Sequence, residues 1–195
     1  MNDAVFTEIF NTYADELFAY GRSMNFDKET VEDAIQDVFC KVFENDYVLN
    51  DVRSIKSYLY RMLKNRLIDI KRTNLSTEDI QDYKNSFYIK ATIVDRMISA
   101  EDKKAVEARI EQILSVLTDR QREAFYCRFA LEMEYEDIGR LLSMTGPAVR
   151  KLIVRARKRL NEVHGSASAV CLLQLFFLQW EQIGYLLSLI NLQSI

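Results

Sequence analysis

The chain has 195 residues, of which 49% are hydrophobic and 28% charged, a composition that excludes a disordered chain and a fibre. One proline and five glycines leave few helix breakers, which disfavours a turn-rich β-sandwich. The net charge is only −3, but the charges are unevenly distributed. Residues 1–52 carry 12 acidic and three basic side chains. Two segments are basic: residues 53–72 carry seven basic side chains and one acidic side chain, and residues 147–164 carry six basic side chains and one acidic side chain. Such a protein can hold a polyanion at two basic segments and present an acidic face to another partner.

Three helices are predicted in the first module, residues 1–72. The first helix covers residues 4–20, and its inner face consists of Val5, Ile9, Tyr13, Leu17 and Tyr20. A turn with capping residues at Asp27–Thr30 precedes the second helix, whose apolar side consists of Val31, Ile35, Val38, Phe39 and Val42. The third helix starts after Asp51 and combines an apolar stripe with most of the first basic segment.

Residues 73–103 lack a sustained apolar stripe and are predicted to be a linker, with room for one short helical piece. Helical spacing resumes over residues 104–117. Thr118, with Gln121 three residues later, forms a capping box and predicts the start of a further helix. Thr145 or Gly146 is then the expected N-cap of the last helix of this second module.

The segment from Tyr135 to about Leu160 has the pattern of a helix-turn-helix. Gly139 lies ten residues before the apolar Val149, which is the spacing at which the second helix closely approaches the first. The second helix buries one face and directs a basic face outwards, where it can enter the major groove of DNA. The outward positions are Ala148, Arg150, Lys151, Val154, Arg155, Arg157 and Lys158. The alternative is a helical hairpin with a solvated basic face.

The two helical modules and the linker between them, in their order along the chain, resemble a bacterial sigma factor of the extracytoplasmic-function class over residues 4–163. The run LTDRQREAFYCRFALEMEYEDIGRLLSMTGPAVRKLIVRARKRL is similar to region four, and the runs VEDAIQDVFCKVFEN and SIKSYLYRMLKNRLIDIKR are similar to two helices of region two. The resemblance implies an all-α fold with two small helical domains, residues 1–72 and 104–163, joined by the linker. It gives no guidance on residues 164–195.

The resemblance also implies roles for individual residues. Three residues of the second helix match positions that grip the clamp helices in the largest subunit of core RNA polymerase, with a phenylalanine as apolar support: Asp33, Gln36, Asp37 and Phe39. The third helix matches the reader of the minus-ten element, through Tyr58, Arg61, Asn65, Arg66, Asp69, Lys71 and Arg72. The last helix matches the reader of the minus-thirty-five element, through Ala148, Arg150, Lys151, Arg155, Arg157 and Lys158.

Some positions depart from the family pattern. Gly139 stands where the family usually has alanine, and Ser143 where the turn glycine is usual. Leu152 and Val154 replace residues that are commonly polar or basic, and either can lie on the DNA side. Tyr58 and Tyr60 can both stack on unpaired bases, but helical periodicity turns at least one of them inwards.

The expected function is therefore that of a sigma factor that binds core polymerase and directs promoter recognition, melting and initiation. Two alternatives are a helix-turn-helix regulator that binds duplex DNA without polymerase, and an interaction adaptor. No catalytic constellation is found, since His164 has no evident partner. The three cysteines lack metal-ligand spacing, so neither cofactor nor metal is expected. The family further implies an anti-sigma regulator. The odd number and wide spacing of the cysteines make a disulfide framework improbable and predict a protein of the reducing cytosol, and the N-terminus lacks the pattern of a signal peptide.

Residues 165–195 form a hydrophobic tail whose only charged side chain is Glu181. A broad apolar arc at helical spacing leaves three interpretations open. The tail can pack on the protein's own modules, dock into a partner or a second copy, or attach to a membrane. Gln174, Gln179 and Gln182 near its middle argue against the membrane.

Overall fold

The computed structural model of the chain describes residues 3–44, 54–74, 87–88, 108 and 110–165. Within these ranges all regular structure is helical, which confirms the all-α prediction. Residues 110–114 form a short helical segment before α4. The six longer helices are α1 (Asp3–Ser23), α2 (Lys28–Glu44), α3 (Ile55–Asn74), α4 (Asp119–Phe129), α5 (Tyr135–Leu142) and α6 (Gly146–His164). Most of the predicted linker and the tail beyond Gly165 lie outside the described residues.

Helices α1, α2 and α3 form the first group and share a core. The apolar face predicted for α2 is buried over its whole length. In α1 the prediction holds for Ile9, Leu17 and Tyr20, whereas Val5 is exposed. The prediction for Val5 was wrong because the next residue, Phe6, takes the inward position in the first turn of α1, with its ring centroid 5.9 Å from that of Phe39.

The N-terminus of α2 is capped by Asp27, as the turn residues indicate. One carboxylate oxygen accepts the backbone N–H of Thr30 at 2.8 Å, and the other accepts the Thr30 hydroxyl at 2.7 Å. These two hydrogen bonds hold the pKa of Asp27 below its ordinary value. The cap fixes where α2 begins and therefore which of its residues face outwards.

Helices α4, α5 and α6 form the second group. The capping box at the start of α4 is present, with the Thr118 hydroxyl accepting the Gln121 backbone N–H and the Gln121 side chain accepting the Thr118 backbone N–H. The predicted inner faces are buried, with Ile138, Leu141 and Leu142 from α5 and Val149, Ile153, Ala156 and Leu160 from α6. This packing fixes the outward face of α6.

The two groups meet at a buried polar cluster. The Tyr20 hydroxyl of α1 and the Lys64 ammonium of α3 both donate to Oε1 of Glu123 in α4, each at 2.6 Å. Only 15% of the Lys64 side chain and 12% of the Glu123 side chain are exposed. Lys64, which was counted in the first basic segment, therefore points towards Glu123 and not towards a polyanion.

Aromatic rings surround this cluster. The Phe87 ring lies between Tyr20, at 5.8 Å, and Tyr126, at 5.6 Å between centroids. The backbone N–H of Phe87 donates to Asp119 at 3.0 Å, and the next backbone N–H donates to the Ser23 carbonyl oxygen at 2.7 Å. Phe87 and Tyr88 thus connect the first group to the second. Burial raises the pKa of Tyr20 and of Tyr126, so both phenols stay protonated.

Candidate functional site

The turn between α5 and α6 is tightly packed. A Cβ atom on Gly139 would lie 2.7 Å from the carbonyl oxygen of Met144 and 3.3 Å from the backbone nitrogen of Gly146. The close approach predicted at Gly139 is present, and it involves the turn and the first residue of α6. Ser143 ends α5 in the left-handed region, with φ 53° and ψ 52°. Gly139 and Ser143, two of the four departures from the family pattern, therefore lie at one turn.

Helix α6 begins with the expected cap. Thr145 is its N-cap, with the side-chain oxygen accepting the Ala148 backbone N–H at 3.4 Å, and Pro147 occupies the first turn, where a missing N–H costs nothing. Ala148 is half-buried beside this cap. The Thr145 cap and Pro147 thus fix where α6 begins and how its first turn is oriented.

The outward face of α6 is basic. Five of the predicted residues are exposed along it: Arg150, Lys151, Arg155, Arg157 and Lys158. The two unusual apolar positions differ from each other. Leu152 is half-buried and packs against the core, whereas Val154 is 59% exposed. Of the two, only Val154 lies on the exposed side of the helix.

Tyr135, the first residue of α5, contacts two guanidinium groups. The Arg128 carbon Cζ lies 4.8 Å from the centroid of the Tyr135 ring, and that of Arg150 lies 5.8 Å from it. A cation over an aromatic face is held electrostatically. Arg150 is therefore oriented by α5, a support that spacing within α6 could not predict.

Helix α3 presents the second candidate surface. Tyr60 is fully buried and its hydroxyl donates to Glu16 at 3.1 Å, whereas Tyr58 is half-exposed with the Arg61 guanidinium 5.9 Å from its ring. This confirms that one tyrosine of the pair turns inwards. Asn65, Asp69 and Arg72 are exposed. Lys71 is half-buried, 5.9 Å from the Phe26 ring, and burial lowers its pKa.

The outward face of α2 is the third candidate surface. Asp33 and Gln36 are exposed on it, and Asp37 is half-exposed. The Arg66 side chain of α3 donates from Nε to Oδ2 of Asp37 at 2.7 Å, with 42% and 46% of the two side chains exposed. Because this pair joins residues 29 positions apart, no spacing rule indicated it. The predicted polymerase surface and the predicted minus-ten surface therefore adjoin.

Phe39 does not lie on this surface. Its ring is buried, 5.9 Å from Phe6 and 4.8 Å from Phe10 between centroids. A partner cannot touch it without moving α1. Phe39 can support the α2 face from inside the core but does not contribute a direct contact.

Among the described residues no group of three or more histidine, cysteine, aspartate or glutamate side chains is arranged to hold a metal ion. No helix in the described ranges has both the length and the apolar character needed to cross a bilayer. Cys40 is exposed, whereas Cys127 is buried, and burial, followed by the Glu123 carboxylate, raises the pKa of its thiol.

Two family models match the chain. Residues 9–76 match the model described as Sigma-70 region 2, and residues 107–160 match the model described as Sigma-70, region 4. Among curated proteins, the ECF RNA polymerase sigma factor SigM of Bacillus subtilis is 23% identical over 166 residues, which cover 80% of this chain and 93% of SigM.

Two solved structures share the fold. CnrH in complex with the cytosolic domain of CnrY has a TM-score of 0.55 at 20% identity, with 86% of this chain and 92% of that chain covered. The sigma factor RpoE of Bartonella quintana, in complex with the anti-sigma factor NepR, has a TM-score of 0.56 at 22% identity, with 80% of this chain and 94% of that chain covered.

Proposed function

Because this chain belongs to the extracytoplasmic-function class of sigma-70 RNA polymerase sigma factors, we propose that the α2 face binds core polymerase while α3 and α6 bind promoter DNA. One observation carries the proposal: α6 exposes five predicted cations on the side away from its buried face, and α3, in the other group, exposes Arg61 and Arg72 away from its buried apolar stripe. A protein of this class initiates transcription, and the polymerase supplies the chemistry. A regulator that never joins polymerase would leave residues 9–76 without a role.

Helix α6 would bind the minus-thirty-five element in the major groove. Ala148 is small enough to let the first turn approach the bases, and Arg150 and Lys151 follow within one turn. Arginine and lysine reach guanine edges in this geometry, and cations further along the helix meet phosphates. We assign the phosphate contacts to Arg155, Arg157 and Lys158.

Helix α3 would bind the minus-ten element as a melted strand. Flipping a base out of the duplex costs a few kcal/mol, and stacking on an aromatic ring offsets part of this cost. Tyr58, half-exposed beside Arg61, offers such a ring next to a cation. The remaining polar contacts fall to the other side chains predicted on this helix: Asn65, Arg66, Asp69, Lys71 and Arg72.

The α2 face would bind the clamp helices of the largest polymerase subunit through Asp33, Gln36 and Asp37. A carboxylate and amide surface suits a cationic partner and speeds encounter with it. The Arg66–Asp37 pair is half-exposed, and surface pairs contribute only about 0–1 kcal/mol. Polymerase can therefore replace Arg66 as the partner of Asp37 at little cost.

An anti-sigma protein is the further partner that we propose. RpoE was solved with the anti-sigma factor NepR, and CnrH with the cytosolic domain of CnrY. Both proteins share the fold of this chain. We also place the protein in the cytoplasm, because the polymerase and the promoter DNA that it needs are there.

Substitution of the recognition residues tests the α6 assignment. We expect Arg150→Ala or Lys151→Ala to weaken promoter binding by about 1–3 kcal/mol if the side chain reads a base, and by less if it meets a phosphate. The measurement is footprinting of the upstream element with the reconstituted holoenzyme. Lys28→Ala, which removes an exposed cation from the start of α2, is the matched control and should leave the footprint unchanged. Unchanged occupancy with the double variant at 150 and 151 would remove the assignment.

A further inference from the structure

Val154 is the most exposed large hydrophobic side chain in the part of the chain that the structure describes. Valine in a helix loses side-chain freedom, and at 59% exposure it gains little from burial. Alanine, lysine or arginine would stabilise an exposed helical position more than valine does. Helix stability therefore does not account for valine at this place.

Val154 lies on the side of α6 opposite the buried face. The buried residues Val149, Ile153, Ala156 and Leu160 define the inner face. Two positions before each of them stand Pro147, Lys151, Val154 and Lys158. Two residues correspond to about 200° around an α-helix, so this second set lies directly opposite the core. Val154 sits between the two lysines and within the first nine residues of the helix, on the face that would enter the groove.

We propose that Val154 recognises the C5 methyl group of a thymine in the upstream promoter element. A valine side chain has neither donor nor acceptor, so it cannot read guanine, cytosine or adenine through a hydrogen bond. The thymine methyl is the apolar group that a base pair displays in the major groove. The inference rests on the proposed binding of α6 to the upstream element and adds the base that one residue selects.

The test uses the full chain with core polymerase. Duplexes with a randomised upstream element are selected by the holoenzyme, and in a selected duplex each thymine is replaced singly by deoxyuridine, which lacks only the C5 methyl. With the unsubstituted protein, we expect one replacement to weaken binding by about fourfold, the factor for one methyl group taken out of water. Val154→Ala should abolish this sensitivity.

Val163→Ala is the matched control. Val163 lies on the same helix and is 55% exposed, but nine residues further from the N-terminus. This variant should keep the full effect of the missing methyl. Both substitutions replace an exposed valine by a better helix former, so neither threatens the fold.

The outcomes separate the inference from the function on which it rests. If no thymine replacement affects the unsubstituted protein, or if Val154→Ala keeps the effect, the inference fails. When the variants at Arg150 and Lys151 still weaken binding in that case, the α6 assignment stands and only the role of Val154 is lost. When those variants also bind normally, the α6 assignment fails together with the inference.

Discussion

Single residues at the α5–α6 turn set the position at which α6 begins. Gly139 gives the turn room, because a Cβ there would lie 2.7 Å from the Met144 carbonyl oxygen. Ser143 adopts a left-handed conformation that glycine adopts without strain. Both positions therefore favour glycine, but only position 139 has it.

Gly139→Ala should destabilise the protein although alanine favours a helix. Overpacking against fixed backbone costs about 1–3 kcal/mol. The gain in helix propensity on replacing glycine is about 1 kcal/mol, so the balance is unfavourable or near zero. Ser143→Gly should act in the opposite direction, because a left-handed residue costs about 1–2 kcal/mol and glycine recovers part of it.

Urea unfolding of both variants, followed by helical circular dichroism, measures the two effects. The turn geometry predicts a lower midpoint for Gly139→Ala and a higher one for Ser143→Gly. A rise in the midpoint for Gly139→Ala would mean that the turn relaxes without cost. A fall for Ser143→Gly would mean that the serine contributes more than its backbone strain.

At the scale of elements, the sequence predicts the helices, their caps and most of their buried faces. Spacing alone identified the buried side of α2, and Thr118 and Thr145 cap the helices that follow them. Periodicity describes one helix at a time, so it could not pair Lys64 with Glu123, or Arg66 with Asp37. Those contacts depend on how helices far apart in the chain are brought together by packing.

The acidic face of α2 yields a prediction of its own. Asp33→Lys should weaken assembly with core polymerase by tenfold or more, because an interface charge of the wrong sign costs several kcal/mol. Asp33 is exposed, so the fold should be retained. The measurement is titration of labelled core polymerase. Glu8→Lys makes the same charge change at an exposed position of α1, and this variant should bind core polymerase normally. If the Asp33 variant bound core polymerase as tightly as the unsubstituted protein, the interface would lie elsewhere.

For the whole molecule, the contact between the two helical groups matters most. Elements centred near minus ten and minus thirty-five lie about 25 base pairs apart, or about 85 Å at 3.4 Å per base pair. Two groups joined through Tyr20, Lys64 and Glu123 cannot reach both elements at once. We therefore expect the contact to break when the protein binds a promoter with polymerase.

Glu123→Lys should separate the groups in the free protein. The new ammonium would face Lys64 and leave the Tyr20 hydroxyl without its acceptor, in a site where Lys64 and Glu123 are mostly buried. Small-angle scattering should show a larger radius of gyration. Glu123→Gln keeps an acceptor for Tyr20 and should expand less. An unchanged radius for Glu123→Lys would show that this cluster does not hold the groups together.

The central claim is that this chain directs polymerase to promoters through α2, α3 and α6. Run-off transcription with core polymerase, the full chain and a duplex selected by the holoenzyme tests it most directly. We expect a transcript of defined length that requires the chain and is lost with Asp33→Lys and with the double variant at Arg150 and Lys151. Transcription that starts at no defined site, with the chain bound to core polymerase, would contradict it.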